Sequence, residues 1–279
     1  MLIDIKTNPH HTTWEAMLTT WQRADDIDLI DGAWVFDHFY PIVGDTSGPC
    51  LEGWTTLTAL TQATERLKVG TMVNGMPYRH PAVTANMAAA VDIISGGRFQ
   101  LGLGAGWSQE EADAYGISLG ATVKERMDMF DEGVEVVVRL LSEDEVDFFG
   151  KHFRLEKARN EPKPVQRPHP PVVIGGGGET RTLRTAARWA QHWNLTPSSI
   201  AEWQRKKDIL GQHCAEIGRD PTEIMCSLMT SFNPESPEAF RATAAAAREG
   251  GVDKLIVNLP SPQRPEDVEQ LAEAYSKVD

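Results

Sequence analysis

The sequence predicts a closed (β/α)8 barrel, a TIM barrel, formed by a single domain over residues 1–279. Short apolar runs alternate with amphipathic helices along the whole chain, and strict alternation of strands and helices favours a parallel sheet. Eight strand–helix units fit into 279 residues, and a closed barrel typically needs about 250 residues. An open sheet of six to eight strands is the alternative.

The eight predicted strands are short runs that are apolar on both faces, as is typical of buried parallel strands. They cover Leu2–Lys6, Ala33–Phe36, Lys68–Val73, Arg98–Leu103, Pro171–Ile174, His192–Leu195, Ile224–Thr230 and Lys254–Leu259.

The helices between the strands show apolar residues at three- and four-residue spacing, which places those residues on one helix face. In the first helix this face carries Trp14, Met17, Leu18 and Trp21. Prolines at the starts of several helices fit there because the first helical turn does not use their missing N–H. The other helices are predicted at Leu57–Thr64, Pro81–Ile94, Met127–Leu141, Glu179–Ala190, Trp203–Ile217, Pro237–Glu249 and from Pro265 through Tyr275.

The connection after the fourth strand is longer than one helix requires, and it predicts an insertion over about residues 107–170. This segment contains SQEEADAYGI, the helix Met127–Leu141, and a hairpin over residues 148–153 with Gly150 at its turn. A proline-rich stretch, PKPVQRPHPP, then leads into the fifth strand.

Composition narrows the class of protein. The chain has 27 Lys and Arg against 40 Asp and Glu, a net charge of −13, which is unfavourable for nucleic-acid binding. Its three cysteines lie far apart, which argues against disulfides and against a cysteine-based zinc site. The start of the chain does not resemble a leader peptide, and no apolar stretch approaches the ~20 residues of a membrane span. We therefore expect a cytoplasmic protein without membrane or nucleic-acid partners.

A glycine-rich turn gives the strongest local signal of ligand binding. Gly175–Gly178 follows the fifth strand, at the barrel end where active sites form, and opens a helix. The N-terminus of that helix offers backbone N–H groups and a positive dipole end, which suit a phosphate. Thr180 and Arg181 would add a hydroxyl and a charge. A flexible turn without a ligand is the alternative.

Two further segments carry candidate functional groups. The run from Gly102 to Trp107, GLGAGW, either leaves room for a flat ligand over the barrel mouth or serves barrel curvature. Asp37 and His38 end the second strand, where buried polar side chains must bind a ligand or each other. His38 is suited to proton transfer near neutral pH.

No catalytic role is predicted for two other pairs of polar residues. The pair His10–His11 lacks a third ligand at suitable spacing, so no metal site is predicted. The pair Glu110–Glu111 is interpreted as the start of a solvated helix rather than as an acid/base pair.

Two segments, LKVGTMVNGMPYRHPA and VDIISGGRFQLGLGAGW, resemble the bacterial luciferase-like monooxygenase superfamily, and the resemblance extends over the whole chain. The run Phe36-Asp37-His38-Phe39 is similar to the branch that uses the deazaflavin coenzyme F420 rather than FMN. This resemblance implies a (β/α)8 barrel, usually a homodimer, with the deazaflavin ring in the barrel mouth.

The resemblance also implies roles for individual residues. Asp37 and His38 would lie beside the ring. His38 would move the proton that accompanies hydride transfer, and Asp37 would orient a neighbouring group by a hydrogen bond. A non-prolyl cis peptide within Met72, Val73 and Asn74 would support one ring face. Contacts to the ring and its tail are implied for Gly104, Ala105, Gly106 and Trp107, and contacts to phosphate for Gly176, Gly177 and Gly178.

Two departures bear on the substrate. The family's sugar-phosphate dehydrogenases have a glutamate after the fourth-strand glycines and a tryptophan beyond the second strand, where this chain has Trp107 and Ile42. We therefore expect a hydrophobic organic substrate instead of a sugar phosphate. The predicted substrate pocket consists of His10, Tyr40, Ile42, Trp54, Met76 and Tyr78, with Trp107 beside it.

The function indicated is hydride transfer between coenzyme F420 and an unidentified small organic molecule. Two alternatives are an FMN-dependent luciferase-like monooxygenase that uses reduced flavin and O2, and a cofactor-binding protein without catalytic activity. The paired carboxylates or metal ligands of a barrel hydrolase are missing from the candidate loops.

Overall fold

The structure, a computed structural model that describes residues 1–278, is a closed barrel of eight parallel strands surrounded by helices. Consecutive ring strands pair in parallel, and the last strand pairs with the first, which closes the ring. This confirms the predicted (β/α)8 barrel and rules out the open sheet. The ring strands are β1 (Leu2–Lys6), β2 (Ile30–Val35), β3 (Lys68–Thr71), β5 (Phe99–Gly104), β8 (Val172–Gly175), β9 (His192–Leu195), β10 (Met225–Ser231) and β11 (Lys254–Asn258).

A two-residue strand outside the ring, β4 (Asn74–Gly75), follows the third ring strand after an irregular segment. It pairs with β5 at Leu103 and Gly104. The peptide bond between Met72 and Val73 in the irregular segment is cis, as the family resemblance implied.

The helices surround the ring and begin at residues that can cap them. Thr13, Thr122 and Ser199 each accept a backbone N–H of the first turn of the helix that follows. The helices are α1 (Trp14–Asp25), α2 (Gly53–Gln62), α3 (Pro81–Ile94), α4 (Gln109–Ala114), α5 (Val123–Ser142), α6 (Thr182–Trp189), α7 (Ile200–Glu216), α8 (Pro237–Glu249) and α9 (Pro265–Ser276).

Predicted and observed helix bounds agree for α3 and α8, and α2 is the clearest difference. The prediction began α2 at Leu57, but the helix begins at Gly53 because the Glu52 carboxylate accepts the Thr55 N–H at 2.6 Å.

No helix within residues 1–278 combines the length and the apolar composition that crossing a bilayer requires.

The insertion after the fourth ring strand contains α4, α5 and a hairpin of β6 (Val146–Phe149) and β7 (Arg154–Ala158). Helix α5 packs against α3 and α6 and so takes the place of the fourth barrel helix. The predicted hairpin is confirmed, with the Gly150 N–H donating to the Phe153 carbonyl at 2.9 Å. The Glu132 carboxylate of α5 accepts the backbone N–H groups of Lys151, His152 and Phe153, which ties the turn to the helix.

The interior of the ring is filled by its own cluster of apolar side chains, Trp34, Met72, Val173 and Ile256, separate from the core between strands and helices. Below this cluster, the Lys254 ammonium lies 2.9 Å from Asp4 and 2.7 Å from Asp31. Burial favours the neutral amine, but the two carboxylates outweigh it and raise the pKa of Lys254. These ion pairs tie β1, β2 and β11 together at the end of the barrel opposite the carboxyl ends of the strands.

Strands β3 and β5 approach each other so closely that only glycine fits at position 102. A Cβ atom there would lie 1.8 Å from the Thr71 carbonyl oxygen and 3.1 Å from a Val73 methyl group. The first glycine of GLGAGW therefore makes room for the third strand.

We expect Gly102→Ala to destabilise the protein by about 3 kcal/mol, because the added methyl group overpacks the contact between the two strands. Urea denaturation followed by circular dichroism measures this loss. The matched control is Gly211→Ala in α7, where a Cβ atom meets no atom within 4 Å and where alanine should add about 0.5–1 kcal/mol of stability. Equal stabilities of the two variants would contradict the close approach.

Candidate active site

The carboxyl ends of the ring strands open into a cavity of about 480 Å³. Loops after β2, β3, β5, β8 and β9 form its wall, so residues far apart in sequence meet there. The predicted residues in this wall are Asp37, His38, Ile42, Met72, Val73, Asn74, Tyr78, Gly104, Ala105, Gly106, Trp107 and Gly176. The structure thus gathers most of the predicted ring-binding residues around one opening.

The imidazole of His38 is held by a buried carboxylate. Glu111 is 1% exposed, and its Oε2 lies 2.8 Å from His38 Nδ1 and 2.5 Å from the Tyr78 hydroxyl. Its other oxygen, Oε1, accepts the backbone N–H groups of Phe39 and Tyr40. Because an ionised carboxylate only accepts hydrogen bonds, Nδ1 carries the hydrogen. Nε2 has no hydrogen-bond partner within residues 1–278 and is left to exchange a proton with a ligand.

The interpretation of Glu110–Glu111 as a solvated pair is wrong for Glu111. Glu110 is exposed, but Glu111 is buried and hydrogen-bonds to the loop that follows β2. Sequence reasoning missed this residue. One signal in the sequence could have indicated it. The segment that forms α4 starts at the same end of the barrel as His38, and the Nδ1 atom of His38 needs a hydrogen-bond acceptor.

Asp37 does not orient His38. Its Oδ2 accepts a hydrogen bond from Arg79 at 2.7 Å, and no hydrogen bond joins Asp37 to His38 within the described chain. Arg79, a second residue that sequence reasoning missed, also donates to Glu52 at 2.7 Å. The alternative of a structural Asp–His pair is therefore also wrong, because a cation from the third loop takes the carboxylate.

Two buried polar atoms in the cavity wall lack partners. Asn74 Oδ1 accepts hydrogen bonds from Trp54 and Arg79, whereas Asn74 Nδ2 and Asp37 Oδ1 have no partner among the residues that the structure describes. A buried donor or acceptor without a partner costs about 1–3 kcal/mol. The pair fits a ligand whose edge carries both acceptors and donors, as the rings of flavins and deazaflavins do.

The protonation states follow from burial and hydrogen bonding. Burial acts to raise the pKa of Glu111, but hydrogen bonds from His38, Tyr78 and the Phe39 N–H outweigh it, and the pKa lies below its usual value. Burial and the neighbouring Glu111 raise the pKa of Tyr78. Burial also raises the pKa of Asp37, and the ion pair with Arg79 opposes that effect. Near neutral pH, Glu111 is therefore ionised and Tyr78 is protonated.

The glycine-rich turn runs from the cavity rim to α6. Gly176 has a φ of +116°, which favours glycine, and its N–H donates to the Asn194 carbonyl at 3.0 Å. Beyond it, Gly177, Gly178 and Thr180 lead to the helix N-terminus without lining the cavity. Their expected contact with a phosphate stays a prediction.

The predicted contribution of Arg181 to a phosphate site is not supported by its position. Its guanidinium turns toward α5, where it bonds to Asp128 at 2.8 Å and also to Asp131. The cation beside the glycine-rich turn is instead Lys206 of α7, which donates to the Gly177 carbonyl at 2.7 Å and to Glu179 at 2.8 Å.

The predicted aromatic substrate pocket is only partly formed. Ile42 and Tyr78 line the cavity, but Trp54 and Met76 are 2% and 1% exposed and belong to the core. Trp54 orients Asn74, and Met76 packs against Gly133 of α5. Tyr40 packs against Tyr115 with ring centroids 5.5 Å apart and lies outside the cavity wall, and His10 lines a neighbouring cavity. Spacing along the chain does not tell which of these side chains the helices cover.

A barrel whose strands end, at their carboxyl side, in a cavity with a histidine and unpaired polar atoms has the architecture of a (β/α)8-barrel enzyme for a small organic ligand. The family model described as luciferase-like monooxygenase matches residues 3–277, and the chain belongs to this family.

Relatives and similar structures include both deazaflavin and flavin enzymes. An uncharacterized protein of Mycobacterium tuberculosis is 31% identical over 228 residues, which are 79% of this chain and 76% of that protein. The FMNH2-dependent dimethylsulfone monooxygenase of Pseudomonas putida is 28% identical over 221 residues, 71% of this chain and 60% of that enzyme.

Among solved structures, an F420-dependent secondary alcohol dehydrogenase in complex with an F420–acetone adduct has a TM-score of 0.85 at 20% identity, with 100% of both chains covered. The coenzyme F420-dependent tetrahydromethanopterin reductase from Methanopyrus kandleri has a TM-score of 0.79 at 17% identity, with 98% of this chain and 97% of that one covered. At these identities the structural likeness shows the shared fold.

Glu111→Gln should destabilise the protein by about 1–3 kcal/mol at neutral pH, because the amide cannot accept all the hydrogen bonds that converge on the carboxylate. Since the folded protein lowers the pKa of Glu111, its stabilising contribution is full above the usual value of 4.5 and is lost as the pH falls through the folded-state pKa. Urea denaturation of wild type and variant between about pH 7 and pH 3 should show the difference shrinking.

The matched control is Glu110→Gln, one residue away and exposed, which should change stability by less than about 0.5 kcal/mol. A difference between wild type and Glu111→Gln that stays constant with pH would show that the ionised carboxylate does not hold the three loops.

Proposed function

We propose that the chain is an oxidoreductase that transfers a hydride between coenzyme F420 and an organic substrate, with His38 as the proton donor or acceptor. The observation that carries this proposal is the His38–Glu111 pair at the cavity, which fixes the imidazole and leaves Nε2 for a ligand. When bound, the deazaflavin supplies or accepts the hydride at C5 of its ring.

The cavity wall offers groups that suit the ring. Asp37 Oδ1 and Asn74 Nδ2 would meet its polar edge, and Met72 and Val73 would support one face. Gly104, Ala105, Gly106 and Trp107 would border the ring and its tail. The phosphate would lie at Gly176, Gly177, Gly178 and Thr180, toward the N-terminus of α6.

Hydride transfer to or from a carbon that bears oxygen requires a proton at that oxygen. His38 Nε2 would supply or take this proton, and the ionised Glu111 behind the ring would stabilise the imidazolium. Alcohols and ketones are the first substrates to test, because the similar dehydrogenase is described as acting on secondary alcohols.

An FMN-dependent monooxygenase that uses reduced flavin and O2 is the second candidate. The 28% identical relative from Pseudomonas putida is named as such an enzyme, and the glycine-rich turn suits the phosphate of either cofactor. The motif Phe36-Asp37-His38-Phe39 favours F420. The homodimer implied by the family resemblance stays a prediction.

Titration of the purified protein with oxidised F420 and, separately, with FMN tests the cofactor. Because the unpaired wall atoms and the glycine-rich turn suit a deazaflavin, we expect saturable F420 binding in the micromolar range, followed by fluorescence. FMN added to the F420-loaded protein should fail to displace it at equal concentration. Saturable binding of FMN without binding of F420 would contradict the proposal and favour the monooxygenase.

His38→Ala should leave the affinity for F420 nearly unchanged and lower turnover by about 10²–10⁴, the usual contribution of general acid–base catalysis. Turnover is measured as the absorbance change of F420 with the alcohol or ketone on which the wild type is most active.

The control variant is His38→Gln, whose amide can still donate a hydrogen bond to Glu111 but cannot transfer a proton. It should be as slow as His38→Ala. Full turnover in either variant would remove His38 from the mechanism.

A further inference from the structure

A second cavity of about 570 Å³ adjoins the first at the barrel mouth. The two cavities share Lys6, Ile42 and Met229, so a ligand can extend from one into the other past these side chains. Loops after β1, β2, β10 and β11 form most of its wall, which includes Asn8, His10, His11, Phe232, Asn258 and Leu259.

Lys6 places a buried ammonium at the junction of the two cavities. The residue ends β1 and is 5% exposed. Its Nζ donates to Asn8 Oδ1 at 2.5 Å and to Asn258 Oδ1 at 3.1 Å. Asn258 is oriented for this by its own Nδ2, which donates to the Thr230 carbonyl at 3.1 Å. An ammonium has three N–H donors, and the third has no hydrogen-bond acceptor in the part of the chain that the structure describes. The Phe36 ring, with its centroid 5.5 Å from Nζ, adds a cation–π contact but no negative charge.

No carboxylate compensates this charge. Lys6 has no ion pair within residues 1–278, in contrast to Lys254 at the opposite end of the barrel. The wall of the second cavity contains no aspartate or glutamate from that part of the chain, although the net charge is −13. In the wall of the first cavity, Asp37 is already paired with Arg79.

The other titratable groups around Lys6 are histidines, which add no negative charge. Burial, and to a smaller extent the nearby His11, Lys6 and His38, together lower the pKa of His10 to about 4, so His10 is neutral at pH 7. Burial lowers the pKa of Lys6 to about 7. A bound anion would reverse this effect, because an opposite charge at contact distance favours the charged amine.

We infer that the second cavity, together with the part of the first cavity at Ile42 and Met229 that the cofactor ring leaves open, is the substrate site, in which Lys6 binds a carboxylate of the substrate. A single ammonium balances a monoanion, and Asn8 and Asn258 hold it in place from behind. The apolar part of the substrate lies against Ile42 and Met229 toward His38. The substrate is thus an amphipathic organic acid rather than a purely hydrophobic molecule. The inference rests on the proposed function in one respect, namely that the bound organic acid is called the substrate. The anion site at Lys6 does not depend on it.

Calorimetric titration with 3-phenylpropanoate and with its neutral analogue 3-phenylpropanamide tests the site in the purified protein. At pH 7, wild type should bind the carboxylate at least tenfold more tightly than the amide. Lys6→Met, which keeps the length of the side chain without its charge, should bind both probes equally. Lys124→Met, at an exposed lysine on α5, is the matched control and should keep the wild-type preference.

Proton uptake gives a second readout that needs no variant. At pH 8 most Lys6 side chains are neutral, so carboxylate binding should take up a proton, approaching one per ligand, and amide binding should take up none. Titrations in buffers of different ionisation enthalpy measure this number.

Equal binding of the two probes by wild type, or an unchanged preference for the carboxylate in Lys6→Met, would overturn the inference. Failure of the proposed function is distinguishable, because it is read from the separate titrations with F420 and FMN. If the protein binds 3-phenylpropanoate through Lys6 but does not bind F420, the anion site is supported and the proposed cofactor is wrong.

Discussion

The buried carboxylate of Glu111 joins three loops of the barrel mouth. From α4 it contacts the His38 imidazole, the backbone after β2 and the Tyr78 hydroxyl of the third loop. A buried charge is costly unless hydrogen bonds surround it, so the positions of these loops stabilise one another through Glu111. The direction of the His38 ring, and with it the chemistry of the cavity, depends on this arrangement.

The polar groups of the mouth divide into those that are already paired and those that await a partner. Arg79 forms ion pairs with both Asp37 and Glu52, and Glu111 faces His38. In contrast, His38 Nε2, two wall atoms at Asp37 and Asn74, and the third N–H of Lys6 lack hydrogen-bond partners among the residues described. A proton is expected to exchange at His38 Nε2, the edge of a ring is expected at Asp37 and Asn74, and an anion is expected at Lys6.

At position 107, where the resemblance implies a glutamate in the family's sugar-phosphate dehydrogenases, this chain has a tryptophan. Trp107 is 61% exposed, and its ring centroid lies 5.5 Å from that of His38. The carboxylate that contacts the histidine belongs to Glu111, on the helix that follows. His38 therefore has an acidic neighbour although position 107 carries no carboxylate.

Local patterning was enough to predict the barrel, the order of its strands, the bounds of α3 and α8, and the loops that surround the cavity, because burial and turn formation are encoded over short stretches. The cis peptide was predicted through the family resemblance. The roles of Glu111, Arg79 and Lys6, and the burial of Trp54 and Met76, were not predictable in this way. His38 and Glu111 are 73 residues apart, and their contact exists because β2 and β5 both pair in parallel with β3, which places their carboxyl ends at one rim. Which side chain of a loop enters the cavity, and which is covered by a helix, is set by packing between such distant segments.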